Sequence, residues 1–308
     1  MIDMLFSLLY SGYGEAKCIY IYIVLLIFFP SILLAKEFDG EKIFFMKNQS
    51  PQQQILSIAL LTKNKKIIIF DGGTKADSNH LSSFINEHGG KVSAWFLTHL
   101  HDDHTGALSE ILLDDNITID NIYYNFPPPE WVEEHEPMYS SHLTMIVEPL
   151  KKMAYLNNQK KIQKGDTFSI DGVTITVLND FDLSITRNGV NNTSFVYDVM
   201  IAGKRMLVLG DLGEEGGERL LAEYGNTLKA DIVQMSHHGQ RGVQKEVYTA
   251  ISPRICLWPT PLFLWENDCS YGPSSGTWEI NKVKTWMEEV GVRVHYVSGL
   301  QEDDIVIE

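Results

Sequence analysis

Thr98-His99-Leu100-His101-Asp102-Asp103-His104-Thr105-Gly106 is the stretch on which the reading of this chain turns. Four potential metal ligands, His99, His101, Asp103 and His104, fall within six residues, directly after the apolar run Val92–Leu97. At a strand end the backbone can turn so that His99 and His101 face one cation. Asp103 and His104, at the entry to a helix, would then face a second. Imidazole with carboxylate suits Zn, Mn or Fe, and a set without cysteine is not a purely structural zinc knot.

Three further motifs share that position. Asp71-Gly72-Gly73 follows the apolar run Ile67–Phe70, Gly210-Asp211 follows Met206–Leu209, and Ser236-His237-His238-Gly239 follows Ile232–Met235. Any one of them alone is a common turn. Four such loops, each closing an apolar strand, indicate one sheet edge that carries one site.

Around these motifs the chain alternates short apolar runs with turn signals. Ile43–Met46, Gln54–Leu61, Lys66–Phe70 and Val92–Leu97 read as strands. Asp77 is placed to cap a helix over Ser78–His88, with Leu81, Phe84 and Ile85 on one face and Gly89-Gly90 as the stop. A second helix is expected near Thr105–Leu113. Downstream, Thr167–Ile170 with Val173–Val177, and Ser194–Ile201 with Lys204–Leu209, read as hairpins turning at Asp171-Gly172 and Ala202-Gly203. Helices over Glu214–Tyr224, Val243–Ile251 and Thr277–Val290 then alternate with strands over Ile232–Met235, Arg254–Trp258, Val292–Val297 and Asp304–Ile307. Strands followed by helices, twice over, predict two packed sheets with helices outside. The stretch 125–155, with its Pro127-Pro128-Pro129 run, Trp131 and the acidic Glu133–Glu136, breaks the pattern and reads either as a lid insertion or as a solvated loop with a surface helix.

The order of these motifs resembles the metallo-β-lactamase superfamily over about Phe38–Glu308, and the resemblance implies a four-layer αββα sandwich. Asn191-Asn192-Thr193-Ser194, the hairpin to Gly210-Asp211, Asp231 through His237-His238-Gly239, and Tyr271-Gly272-Pro273-Ser274 look like the hydrolase domain of DNA-uptake competence proteins. The similarity implies two divalent metal ions, Zn or Mn. His99 and His101 would hold one, Asp103, His104 and His238 the other, and Asp211 would bridge them. It leaves His237 as an alternative to His238 or as a proton donor beside the metals, and makes Asp103 and His237 the expected catalytic residues. Asp71 would orient the ligands by hydrogen bonding.

This chain departs from the common family pattern in two places. About twenty residues before the expected bridging Asp211, most members carry a histidine, where this chain has Asn191 or Asn192. The competence-type relatives share that substitution. A neutral amide oxygen binds more weakly and favours a harder ion such as Mn. Relatives also often place a histidine between the residues matching Gly272 and Pro273, which this chain lacks; His135 and His142 in the insertion are the available substitutes.

The expected chemistry is hydrolysis by a metal-activated hydroxide, with a phosphodiester or related phosphoester, of a small molecule or of nucleic acid, as the leading substrate. Ester, thioester or lactam hydrolysis on the same metals is the enzymatic alternative, and a metal-binding protein without turnover is the alternative of another class. Trp131, Trp258, Trp265 and Trp278 are candidates to contact a base or a quaternary ammonium, though core packing is the plainer role for most.

Charge and composition bound these readings. With 308 residues, 44% hydrophobic, 21% charged and a net charge of −15, the chain is an ordinary acidic globular protein. General nucleic-acid coating is not expected, while cations bound at one site would reverse the field locally. Cys18, Cys256 and Cys269 form no C-x-x-C pair; a Cys256–Cys269 disulfide is possible only if the domain is exported. The uncharged run Ile19–Ala35, which includes Pro30 and lies between Lys17 and Lys36, reads as an export signal or a membrane anchor. Cleavage after Ala35 is the matching expectation, and a buried element of the fold is the other reading. Residues 1–35 are therefore set apart from a hydrolase domain at 36–308, expected outside the cytoplasm, secreted or membrane-anchored through residues 19–35.

Overall fold

The isoleucine-rich run Ile67–Asp71 is buried at every position, so its sheet must be covered on both faces. The computed structural model describes residues 39–114, 116–152 and 157–308. The segment expected to be a signal or anchor lies outside the described residues.

The chain lays down β1 (Lys42–Phe45), β2 (Ser57–Leu61), β3 (Ile67–Asp71), β4 (Lys91–Phe96), β5 (Thr118–Ile119), β6 (Ile122–Tyr124) and β7 (Gln159–Lys161) in a first sheet. It continues with β8 (Thr167–Ile170), β9 (Val173–Val177), β10 (Tyr197–Ile201), β11 (Lys204–Val208), β12 (Ile232–Gln234), β13 (Ile255–Trp258) and β14 (Val294–Val297) in a second, and β15 (Ile305–Ile307) returns to the first. The orders are β15-β1-β2-β3-β4-β6-β7, with β5 also beside β4, and β14-β13-β12-β11-β10-β9-β8. The neighbours β3 and β4 run parallel, as do β11, β12 and β13.

Alternation along each strand builds the layers. Ile68 and Phe70 of β3 point to Ile175, Tyr197 and Val208 of the second sheet and form the middle core. Ile67 and Ile69 point the other way, to Leu81 and Ile85 of α1 (Ser78–Glu87) and to Leu108 and Ile111 of α2 (Asp102–Ile111). An insertion follows, with α3 (Pro129–His135) and α4 (Ser140–Leu150), and then the single turn α5 (Gly189–Asn192). On the far face, α6 (Glu214–Tyr224), α7 (Lys245–Ile251), the short α8 (Leu262–Trp265) and α9 (Ile280–Val290) cover the second sheet, packing Leu220, Val247, Val283 and Met287 on Val233 and Cys256. The result is the expected αββα sandwich. Phe38–Glu308 form one compact unit. No helix among the described residues is long and apolar enough to cross a membrane.

Both expected hairpins are present, with Asp171-Gly172 and Ala202-Gly203 all at positive φ as a two-residue turn requires. Two local expectations are corrected. The second helix starts at Asp102 instead of near Thr105, which puts Asp102 and Asp103 in its first turn, where the helix dipole favours anions. Asp77 does not cap α1 with its side chain: its carboxylate turns back to accept Thr74 N–H at 2.8 Å and Gln49 N–H at 3.0 Å. Cys256 and Cys269 are both free.

α2 approaches the chain before α1 very closely. A Cβ on Gly106 would stand 2.7 Å from the Lys75 backbone nitrogen and 2.8 Å from the Thr74 carbonyl carbon. Backbone cannot yield as a side-chain tip can, so Gly106→Ala is expected to cost about 1–3 kcal/mol. Urea unfolding reads this directly, and an unchanged midpoint would mean that α2 is not seated in this way.

Candidate metal centre

Because β3 and β4 run parallel, as do β11, β12 and β13, each pair or trio ends on one edge, and the loops leaving those ends meet. Asp71 closes β3; Thr98–His101 follow β4 and lead into α2 with Asp103 and His104; Asp211 follows β11; His237 and His238 follow β12. His99, His104, Asp211 and His238 are almost entirely buried.

Two groups form, and they share one residue. Asp103, His104, Asp211 and His238 each offer a ligand atom within 4.8 Å of the others, and so do His99, His101 and Asp211. His99 Nε2 lies 3.0 Å from His101 Nδ1. His104 Nε2 lies 3.3 Å from Asp211 Oδ1, and His238 Nε2 is 3.0 Å from Asp103 Oδ2 and 3.2 Å from Asp211 Oδ2. Two donors about 2.0–2.1 Å from one tetrahedral cation stand about 3.3 Å apart, so these separations fit ligands sharing an ion.

Unpartnered atoms gather around the same site. Among the described residues ten buried side-chain polar atoms lack a hydrogen-bond partner, and six belong to His101, His104, Asn191, Asp211, His237 and His238. Scattered packing flaws would not cluster so, whereas a divalent cation would satisfy imidazole nitrogens and carboxylate oxygens together. The donor set therefore fits the metals expected for it.

Outer contacts fix which nitrogen faces inward. Asp71, at φ 55°, sits in the left-handed region at the end of its strand. Its carboxylate accepts Thr98 N–H at 2.8 Å, Thr98 Oγ1–H at 2.7 Å and His104 Nδ1–H at 2.8 Å. His238 Nδ1 donates to the Pro259 carbonyl at 2.8 Å. With both Nδ1 atoms protonated, the Nε2 lone pairs of His104 and His238 are left for the centre. Gln234, wholly buried, accepts the N–H groups of Leu209 and Gly210 and donates to the Gly210 carbonyl, which holds the turn that presents Asp211.

The electrostatics divide the site. Burial pushes the imidazolium forms of His99 and His101 down, His101 to about 3, so both are neutral. Burial acts the same way on His104 and His238, but Asp211 and neighbouring carboxylates outweigh it: His104 is raised well above the usual range and His238 to about 10. The buried carboxylates Asp71 and Asp211, with the partly exposed Asp103, therefore demand positive charge, as protons or as metal. A group whose folded value is raised contributes stability that is fully present below its unfolded value, near 6.5, and is lost as pH rises through the folded value. The metal-free protein is thus expected to lose thermal stability between pH 7 and 10, and the metal-loaded protein to lose less. Melting curves with and without chelator check this; parallel curves would contradict it.

The centre opens into a cavity of about 280 Å³ lined by His101, Asp103, Asp211, Asn191 and His237, with Tyr139 and His142 from the insertion and Phe263 from α8. The Tyr139 ring packs on His101 at 4.1 Å between centroids. The insertion is held as a wall against α5, since the Glu136 carboxylate accepts the N–H groups of Gly189 and Val190 at 2.7 and 3.0 Å, and Trp131 Nε1 donates to Leu183 O.

Several expected residues are separated by this geometry. Asn191 faces the cavity, with Nδ2 donating to Asn188 Oδ1 at 2.8 Å and to His237 Nε2 at 3.2 Å and its buried oxygen unpartnered. Asn192 turns away and braces the start of α6, accepting Gly213 and Gly216 N–H. His238 stands in the metal cluster. His237 lines the cavity beside Asn191, outside the two ligand groups, and burial lowers its pKa. His142 reaches the cavity, accepting Asp102 N–H at 3.2 Å, while His135 packs on Trp131. None of Trp131, Trp258, Trp265 and Trp278 lines the cavity. Tyr139 and Phe263 escaped the sequence reading because no motif marks them; the insertion itself was the only signal for Tyr139.

A sandwich with two carboxylate-histidine clusters on one strand-end edge is the architecture of a metal-dependent hydrolase family. The chain belongs to the metallo-β-lactamase superfamily, whose sequence model matches residues 54–251. It is similar to the competence protein ComA of Neisseria gonorrhoeae, with 36% identity over 68 residues, 22% of this chain and 10% of that protein. The matched stretch thus spans a tenth of that relative's length. Among solved structures, the metallo-beta-lactamase fold protein YhfI from Bacillus subtilis superposes with a TM-score of 0.52 at 11% identity, covering 87% of this chain and 98% of that chain, a likeness of fold.

Proposed function

We propose that the chain is a dinuclear metal-dependent hydrolase that cleaves phosphodiester or related phosphoester bonds. The observation that carries this reading is the membership of Asp211 in both ligand groups, since a carboxylate with two oxygens can hold two cations side by side. His99 and His101 would hold one ion with Asp211; Asp103, His104 and His238 would hold the other. Bound divalent ions supply Lewis acidity to a phosphoryl oxygen and to an attacking water.

The chain's own residues supply the rest. Asp71 and the Pro259 carbonyl orient His104 and His238. Asp103, 21% exposed at the cavity floor, is placed to accept the proton of the attacking water. His237 positions Asn191, whose neutral oxygen faces the site where many relatives carry a histidine. That weaker donor, together with the likeness to a competence protein, supports the phosphoester reading and a preference for Mn.

The test compares a chromogenic phosphodiester with a thioester and a β-lactam on the full chain loaded with Mn or Zn. Phosphodiester turnover, higher with added Mn, is expected. Turnover of another substrate with the phosphodiester left intact would overturn the bond assignment. Bound metal with no turnover of any ester, and no difference between wild type and His101→Ala, would make the chain a metal-binding protein.

A further inference from the structure

The geometry points to a docking face for an anionic phospholipid bilayer at the end of the sandwich opposite the metal centre. The catalytic loops leave the C-terminal ends of β3, β4, β11 and β12. At the other ends of the second-sheet strands, Lys204 opens β11, and Arg254 and Arg293 directly precede β13 and β14. These three line a cavity of about 230 Å³ whose other walls are mostly apolar, with Ile232, Ile255, Val294 and Ile307. Val294 and the neighbouring Val306 are 36% and 43% exposed.

Charge sets this end apart. Among the described residues none of the three cations makes an ion pair; the one carboxylate in the cavity, Asp231, accepts Arg205 N–H at 3.0 Å. Lys65 and Lys66 of the β2–β3 turn share this end, since Asn64 in that turn donates to Asp171 of the β8–β9 turn. Three other lysines here are already paired, Lys42 with Glu308, Lys63 with Asp39 and Lys91 with Asp120. Among the described residues, Lys65, Lys66, Lys204, Arg254 and Arg293 thus lie at this end without an ion pair, in a chain of net charge −15. Unpaired Lys and Arg around exposed aliphatic side chains form a surface that suits lipid phosphates with acyl chains beneath.

The path of the chain favours a bilayer as the occupant. β1 begins at Lys42, and Ile43 pairs with Ile307, which lines the cavity. The polypeptide therefore enters the sandwich at this end, and in sequence it is preceded by the uncharged run Ile19–Ala35. The basic end is thus the one that the apolar run joins in sequence. Nucleic acid would satisfy the cations and leave the aliphatic floor without a role.

The experiment mixes the full chain with vesicles of phosphatidylcholine alone, or of phosphatidylcholine with phosphatidylglycerol, at low and high salt. The comparison is with the triple variant Lys204→Gln, Arg254→Gln and Arg293→Gln. Each basic residue at an anionic surface is worth about fivefold in partitioning, so the variant is expected to lose about 100-fold on the mixed vesicles and nothing on the neutral ones. High salt should reproduce that loss in the wild type. Unchanged metal equivalents would show that the variant is folded; if it is not, the lipid and salt dependence of the wild type decides alone. Equal partition of the wild type on both vesicle types, or a folded variant that partitions like the wild type, overturns the proposal. So does a variant that loses retention of a single-stranded oligonucleotide but keeps its vesicle partition.

Discussion

Asp211→Asn is expected to lower hydrolytic turnover about 1000-fold and to leave at most one metal ion bound per chain, read by metal analysis beside the assay. Asp211 is the one residue common to both ligand groups, within 3.3 Å of His104 and His238 and 4.0 Å from His99. Asparagine keeps the shape and one oxygen but removes the charge on which both cations would depend. No neighbour can replace it, because Asp103 belongs to one group alone. The backbone at 211 is held independently, by Ser194 Oγ on its N–H and by Gln234 on the residue before it. The fold should therefore survive, which makes the loss a statement about the site. A variant that kept two ions and the wild-type rate would remove the basis for a shared centre.

The second large effect is expected at Asp71, which does not line the metal cavity. Asp71→Ala strips a fully buried carboxylate from Thr98 and His104 and should cost about 3–5 kcal/mol of stability. It should also weaken metal binding about 10- to 100-fold. Asp71→Asn separates the two consequences. An amide of the same size can still accept Thr98 N–H, so most of the fold is kept. Turned toward His104, its N–H group would require Nδ1 to accept, which moves the imidazole proton to Nε2 and removes the lone pair offered to the metal. A smaller fall in melting temperature than for alanine, with a comparable loss of metal affinity, is the expected pattern. If Asn bound metal as the wild type does, Asp71 would be a packing residue only.

The expected ligand residues were legible because each follows an apolar strand, and parallel strands must end on a common edge. His99, His101, Asp103 and His104 are also close in sequence, so local geometry alone groups them. Long-range contacts were not legible in the same way. Whether His237 or His238 joins the cluster depends on two consecutive left-handed residues, at φ 49° and 57°, and on the Pro259 carbonyl that takes the His238 proton. The choice between Asn191 and Asn192 was settled by α6, whose first N–H groups claim the Asn192 oxygen. The insertion gave only a broken pattern in sequence; the Glu136 contacts to Gly189 and Val190 make it a wall that carries Tyr139 and His142 to the cavity.

The sequence by itself determined the layers, the strand ends at which chemistry could sit, and the residue types able to hold a divalent metal, since alternation and turn chemistry are local properties. The tertiary structure decided which of those residues meet, that Asp211 stands in both groups, and which nitrogen of His104 and of His238 is free. Those follow from hydrogen bonds between residues far apart in the chain, such as Asp71 with His104 and Pro259 with His238, whose partners no local pattern specifies.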